Sequence, residues 1–274
     1  MKSKYLILSV LLLLPLLASA QDAISIGQED EPDDFRSRIS ASVGGDIGRS
    51  LSWEVSEEIR VKDSFRRFDR FYTSATLEYK ALRWLKIAPE YTLINLLDVD
   101  TKSDGSIEKE WETRHRVALN ITGTLKVGGW KFSLRERPQV MIRCDSINFM
   151  EKNKAAFVLR SRAKASYTFR KAPVTPYVFV EMTNTLNTPK EFSGYALDGS
   201  IKADFKLKNY ISKMRYSAGV EIHINSHNKF DINYKLDDVT DYDINISKKN
   251  GYLKSVTRID SIHHILCVGY SYSF

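Results

Sequence analysis

Three consecutive stretches of this chain carry ten cationic side chains at alternate positions. Trp111–Thr122 holds Arg114 and Arg116. Trp130–Arg143 holds Lys131, Arg135, Arg137 and Arg143. Phe157–Arg170 holds Arg160, Arg162, Lys164 and Arg170. Alternate residues of an extended strand share a face, so neighbouring strands would assemble these side chains into one basic wall. The same faces bring only Glu112 and Asp145 as acids, while the preceding stretches bring Glu54, Glu58, Glu78 and Glu90. Two chemistries follow. Opposed charges can fill a narrow lumen with salt bridges. Alternatively, a cationic wall facing water concentrates anions. At this point both stay open.

Catalytic chemistry finds less support. The histidines are His115, His223, His227, His263 and His264. His264 has Ser261, Ser271 and Ser273 nearby, which raises a lipid hydrolase with a Ser nucleophile and a His base. No His-x-Ser-Asn-Gly stretch accompanies them, and the expectation is that His263 and His264 stand at the outer rim of the last strand. His223 and His227 flank a turn and lack the further ligands of a metal site. The neighbours Glu57-Glu58 and Asp237-Asp238 point to opposite strand faces, so neither pair is a catalytic dyad. No phosphate loop, nucleophile elbow or zinc motif occurs. The chain is read as non-enzymatic, with no cofactor and no metal.

The elements that must position the wall are strands. Period-two alternation marks Phe71–Lys80, Leu85–Leu93, the three basic stretches, Tyr210–Ile222, Phe230–Asp237 and Ile262–Phe274. Weaker patterning marks Phe35–Val43, Leu51–Val61 and Pro176–Met182. Many run about ten residues, the length that crosses a bilayer at a tilt. Short links fall near Leu82, Val127, Lys171–Val174 and Asn225–Asn228. Long ones are expected over Asp98–Glu110, Asp145–Lys154, Asn187–Asn209 and Thr240–Ser261. Short inner turns and long outer loops are the habit of outer-membrane barrels. These segments number eleven. Bacterial single-chain barrels use an even number, so about twelve strands are expected, with ten to fourteen allowed and the missing one before Phe71.

Both ends agree with export to the outer membrane. Lys2 and Lys4 precede an apolar run from Tyr5 to Leu17, and Ala18-Ser19-Ala20 follows. That is the order of a secretory signal peptide, cleaved between Ala20 and Gln21. Its removal lowers the formal charge from +7 to +5 by the loss of Lys2 and Lys4. No later run of about twenty apolar residues forms a helical span. A basic balance would suggest nucleic acid in a cytosolic protein, and export removes that partner. Cys144 and Cys267 lie far apart and are expected as free thiols. At the other end, Leu266, Val268, Tyr270, Tyr272 and Phe274 alternate with Cys267, Gly269, Ser271 and Ser273. Tyr270, Tyr272 and Phe274 resemble the C-terminal signal that the barrel assembly machinery reads.

Several segments resemble one family. They are Leu77-Glu-Tyr-Lys80, Trp84-Leu-Lys-Ile-Ala-Pro-Glu-Tyr91, Tyr216-Ser-Ala-Gly-Val-Glu-Ile222, Lys229-Phe-Asp-Ile-Asn-Tyr-Lys235 and His264–Phe274. Together they look like the hairpins and closing strand of the Bacteroidetes outer-membrane family called domain of unknown function 2490. Ala75 and Thr76 stand where that family often has Gly. The resemblance implies a barrel in the outer membrane of a Gram-negative bacterium and brings no activity with it.

The expected organisation is a signal peptide over 1–20, a mobile periplasmic segment over 21–34 and an all-β, antiparallel up-and-down transmembrane barrel over 35–274. The expected function is a structural or interaction barrel, presenting loops such as Asn187–Asn209 and Thr240–Ser261, or a narrow channel. Its lumen wall would be Arg114, Arg116, Arg135, Arg137, Arg160, Arg162 and Lys164. An anion-preferring porin-like channel is the alternative, and a lipid hydrolase the second. Partners would be outer-membrane lipid, the assembly machinery and a small anionic solute.

Overall fold

Period-two patterning leaves each strand one apolar and one charged face, and the chain satisfies both by rolling into a closed barrel. The computed structural model describes residues 27–101, 106–144, 155–187, 192–195, 201–205, 209–246 and 253–274, and Ala18, Ala20 and Gln21, expected as the signal cleavage positions, lie outside them. The strands are β1 (Gly27–Asp30), β2 (Asp34–Ile47), β3 (Leu51–Lys62), β4 (Arg67–Leu82), β5 (Leu85–Thr101), β6 (Ile107–Val127) and β7 (Trp130–Arg143). They continue with β8 (Ala156–Tyr167), β9 (Val174–Thr185), β10 (Phe192–Tyr195), β11 (Ile201–Phe205), β12 (Tyr210–His223), β13 (Asn228–Ile246) and β14 (Leu253–Ser273). Strands β2 to β9 pair in sequence order, β9 continues to β12, and β13 and β14 follow. The pair β10–β11 is a separate hairpin.

Eleven strands close the ring, not an even number. The seam is a parallel pairing of β14 with β2, from His263↔Asp34 to Ser273↔Gly44. Eleven antiparallel strands in succession leave the first and last pointing the same way, so closure must be parallel. The eleven segments legible in the sequence are these eleven strands, and the twelfth strand of the sheet, expected before Phe71, is β1. Strand β1 lies outside the ring and pairs in parallel with β14 further along, from Gly27↔Thr257 to Asp30↔Asp260.

An odd count also puts the start of β2 and the end of β14 at opposite rims. Phe274 stands at the rim of the short links, where its N–H donates to the Gly44 carbonyl at 3.0 Å. Asp34 and β1 stand at the opposite rim. Of the segment expected over 21–34, Gly27–Asp30 is strand and stands at that rim.

The two faces are sorted with the apolar one outside. Ile39, Val117 and Val178 are more than half exposed, whereas Glu181 and Asp237 on the inner face are at most 1% exposed. A water-soluble barrel has the reverse arrangement.

Link lengths also depart from expectation. Strands β5 and β6 extend to Thr101 and from Ile107, and β13 and β14 extend to Ile246 and from Leu253. Much of Asp98–Glu110 and Thr240–Ser261 is therefore strand. Those stretches carry charge on both faces, which hid their extended conformation. At the other rim, Gly128 takes a φ of 60° in the tight Val127–Trp130 turn, where glycine costs nothing.

One inner glycine is fixed by packing. Gly219 lies in register between Tyr177 and Asn233. A Cβ there would meet Tyr177 Cζ at 2.8 Å and overlap the Asn233 Cβ. The Tyr177 ring covers this gap, and its hydroxyl donates to Asp231 at 2.7 Å. Gly219→Ala is expected to displace the ring and cost about 1–3 kcal/mol, read as a lower urea midpoint for the folded barrel. An unchanged midpoint would mean the ring moves aside freely.

Candidate functional site: the cationic lumen

Register brings distant charges into one ring. Arg135 lies opposite Arg162, Arg162 opposite Glu181, Glu181 opposite Arg215, Arg215 opposite Asp237, and Asp237 opposite His263. All face the lumen because each sits at the same parity as its cross-strand neighbour.

Glu181 is the hub of this row. Its Oε2 accepts from Arg135 at 2.9 Å and pairs with Arg162 at 2.7 Å, while Oε1 takes Arg160 and Arg215, the latter at 3.3 Å. Arg215 also grips Asp237 through Nε and Nη2, both at 2.6 Å, the bidentate fork that suits a carboxylate. Arg38 and Lys213 approach the same carboxylate at 3.7 and 3.6 Å. On the other side of the wall, Glu90 accepts from Arg137 at 2.6 Å and pairs with Arg116 at 3.5 Å. Thus three carboxylates, Glu90, Glu181 and Asp237, are shared by eight cations. The cluster keeps an excess of positive charge even when every acid is ionised.

A cavity of about 560 Å³ opens inside this ring. Twelve of its lining residues are Arg or Lys, against the acids Glu54, Glu58 and Asp231. Tyr72 forms part of its floor, with the Arg60 guanidinium 3.9 Å from the ring centre and that of Arg116 5.4 Å away. Such stacking holds guanidinium groups flat. The Nε atoms of Arg116, Arg135 and Arg137 are buried without a hydrogen-bond partner.

Every wall residue expected from sequence faces inward, and each has an acid within reach. Arg114 binds Glu112 at 2.6 Å, and Lys164 binds Glu221 at 2.8 Å. Of the acids expected, Glu90 and Glu112 pair with the wall, and Glu58 and Glu78 do not. Glu58 pairs with Arg60 on its own strand, and Glu78 pairs with Lys86, so neither reaches across the lumen to the basic wall. The counter-charges come from strands beside it. Glu181 escaped notice because its strand fills the inner positions with Tyr177 and Phe179, which blurs the alternation. The parity of Val178 and Val180 is the signal that would have exposed it. Arg38 on β2 and Lys213 and Arg215 on β12 escaped because they lie on strands away from the three basic ones.

The histidines divide between the two faces. His263 is buried in the lumen, with Ser261 Oγ at 3.2 Å and Arg36 at 3.0 Å from Nε2. It is therefore not a solvated rim residue. His264 faces outward and stacks on Phe35 with ring centres 4.7 Å apart. Since Ser261, Ser271 and Ser273 share the inner parity, none forms an outward Ser–His pair with His264. His227 Nδ1 lies 2.7 Å from the Ser273 carbonyl. Cys144 is exposed, Cys267 is buried, and both are free.

At the C-terminal rim, Phe274 is 74% exposed and packs on Tyr272 and Trp53. Trp130, Phe132, Tyr167 and Phe169 continue this aromatic band.

A model of the family described as protein of unknown function (DUF2490) matches residues 39–238. No curated protein and no solved structure matches the chain.

Proposed function

The chain belongs to this DUF2490 family, and we propose that it is an outer-membrane barrel whose lumen admits small anions through a narrow cationic passage. Insertion follows from the outward apolar face. On β8, Phe157 near one rim and Tyr167 near the other are ten residues apart. At about 3.3 Å per residue and a tilt of about 40° they bracket roughly 25 Å, the height of an outer-membrane apolar band. Residues 1–20 serve as the export signal, and Tyr270, Tyr272 and Phe274 as the segment the assembly machinery engages. The role is non-enzymatic.

The observation that carries anion preference is the sharing of three carboxylates among eight cations around the cavity. A low-dielectric wall confines that field to the lumen. A planar bilayer holding the purified barrel should show reversal potentials of an anion-preferring pore in a salt gradient. Arg116→Glu should reduce that preference. Cation selectivity in the wild type would remove the reading. The second reading, a closed scaffold barrel, is favoured by the acid partner found for each wall residue, and a silent bilayer would select it.

A further inference from the structure

We propose that the lumen cavity is a binding site for one small solute carrying at least two oxyanionic charges, of the phosphate-ester or pyrophosphate class. The inference rests on the anionic reading of the lumen and adds a bound state to it.

Cations with spare capacity point to a ligand. The Arg38 guanidinium is buried at 9% exposure, makes no hydrogen bond among the described residues, and reaches Asp237 only at 3.7 Å. That carboxylate is already held at 2.6 Å by both arms of Arg215. Lys235 also lines the cavity and has no acid within 4 Å among the described residues. Cations that line one cavity without a close acid of their own are the complement of a polyvalent acceptor.

Shape narrows the class. The cavity volume of about 560 Å³ lies within the range of small-molecule sites, about 300–1,000 Å³. Guanidinium forks match phosphate oxygens two at a time, which a spherical halide does not exploit. Arg60 and Arg116 are held against Tyr72, so their orientation is set before the ligand arrives. A second chamber of about 100 Å³ shares Arg38, Arg60, Arg70 and Lys213 with the first. These four cations line both chambers, and the second chamber also carries Asp69 and Asp237, so the larger one is where the oxyanions would sit.

The test is equilibrium binding of pyrophosphate to the full mature chain, folded in detergent, by titration calorimetry in about 0.1 M chloride, where exposed charges are screened beyond roughly 10 Å. One saturable site per barrel is expected. Arg38→Gln with Lys235→Gln should weaken it by about tenfold or more. Lys131→Gln removes a lumen-side cation that does not line the cavity, and should leave affinity within about twofold, as expected for an exposed charge. If the double variant does not fold, Lys235→Gln alone should still weaken binding. Absence of saturable binding to the wild type, or equal affinity in the cavity and control variants, would overturn the site. Binding by a barrel that is silent in a bilayer keeps the site and rejects the channel. Conductance without pyrophosphate binding does the reverse.

Discussion

Glu181→Gln is expected to destabilise the barrel more than any other single lumen substitution. Four arginines, from β7, β8 and β12, converge on this one carboxylate, which is 1% exposed. Removing the charge leaves Arg135, Arg160 and Arg162 facing one another with no local counter-ion, while Arg215 keeps only Asp237. Breaking a buried ion pair from one side costs about 3–5 kcal/mol, and the hub multiplies the repulsion. Glu78→Gln is the contrast. Its partner is Lys86, both side chains are at least one-third exposed, and exposed pairs contribute at most about 1 kcal/mol. Urea titrations followed by heat-dependent gel mobility should separate the two variants clearly. If they lose stability equally, water or mobile anions already neutralise the arginines, and the hub is not structural. Phosphate in the buffer should partly restore Glu181→Gln if the cavity accepts oxyanions, because it supplies the missing acceptor.

The barrel was legible because alternation is a local property. Leu266, Val268 and Tyr270 reveal their face without reference to any other strand, and the same holds for Val117 and Leu119. The count of about twelve strands holds as eleven in the ring and β1 beside it, but the position of β1 outside the ring was not legible. Nothing in the pattern of β2 or β14 states whether they meet in parallel, because side-chain parity is the same for either direction. The basic wall was legible on the same terms, since Arg114, Arg116, Arg135 and Arg162 each alternate with apolar neighbours. Of its counter-charges, Glu90 and Glu112 were legible and Glu181 was not. Glu181 finds Arg135 through two register steps, 46 positions apart in the chain, and register is a property of pairing. Asp237 was visible on the polar face of its strand, but not its partner. Its grip on Arg215 depends on β12 and β13 meeting at Arg215↔Asp237.

A one-residue step along β4 should reverse the consequence of the same substitution. Ala75 points outward, in register with Val55 and Tyr91. Thr76 points inward, in register with Glu54 on one side and Glu90 on the other. Both lie near the middle of the strand, Arg67–Leu82. Ala75→Arg would carry a guanidinium into the apolar belt, which costs about 2–4 kcal/mol at the midplane of an outer-membrane barrel and falls toward the interfaces. Thr76→Arg would place the same group between two carboxylates on the water-facing side, so its Coulomb term is favourable and only its bulk opposes it. The expected result is a large fall in folded yield for Ala75→Arg in lipid vesicles, with Thr76→Arg close to wild type. The contrast isolates the face, because chain position, strand propensity and added charge are nearly the same. Equal yields in vesicles, together with folding of both variants in buffer without detergent, would show that the outer face meets water and that the barrel is not a membrane protein. A fall for Thr76→Arg alone would show a lumen packed too tightly to admit one more side chain, which would also count against a passage for solutes.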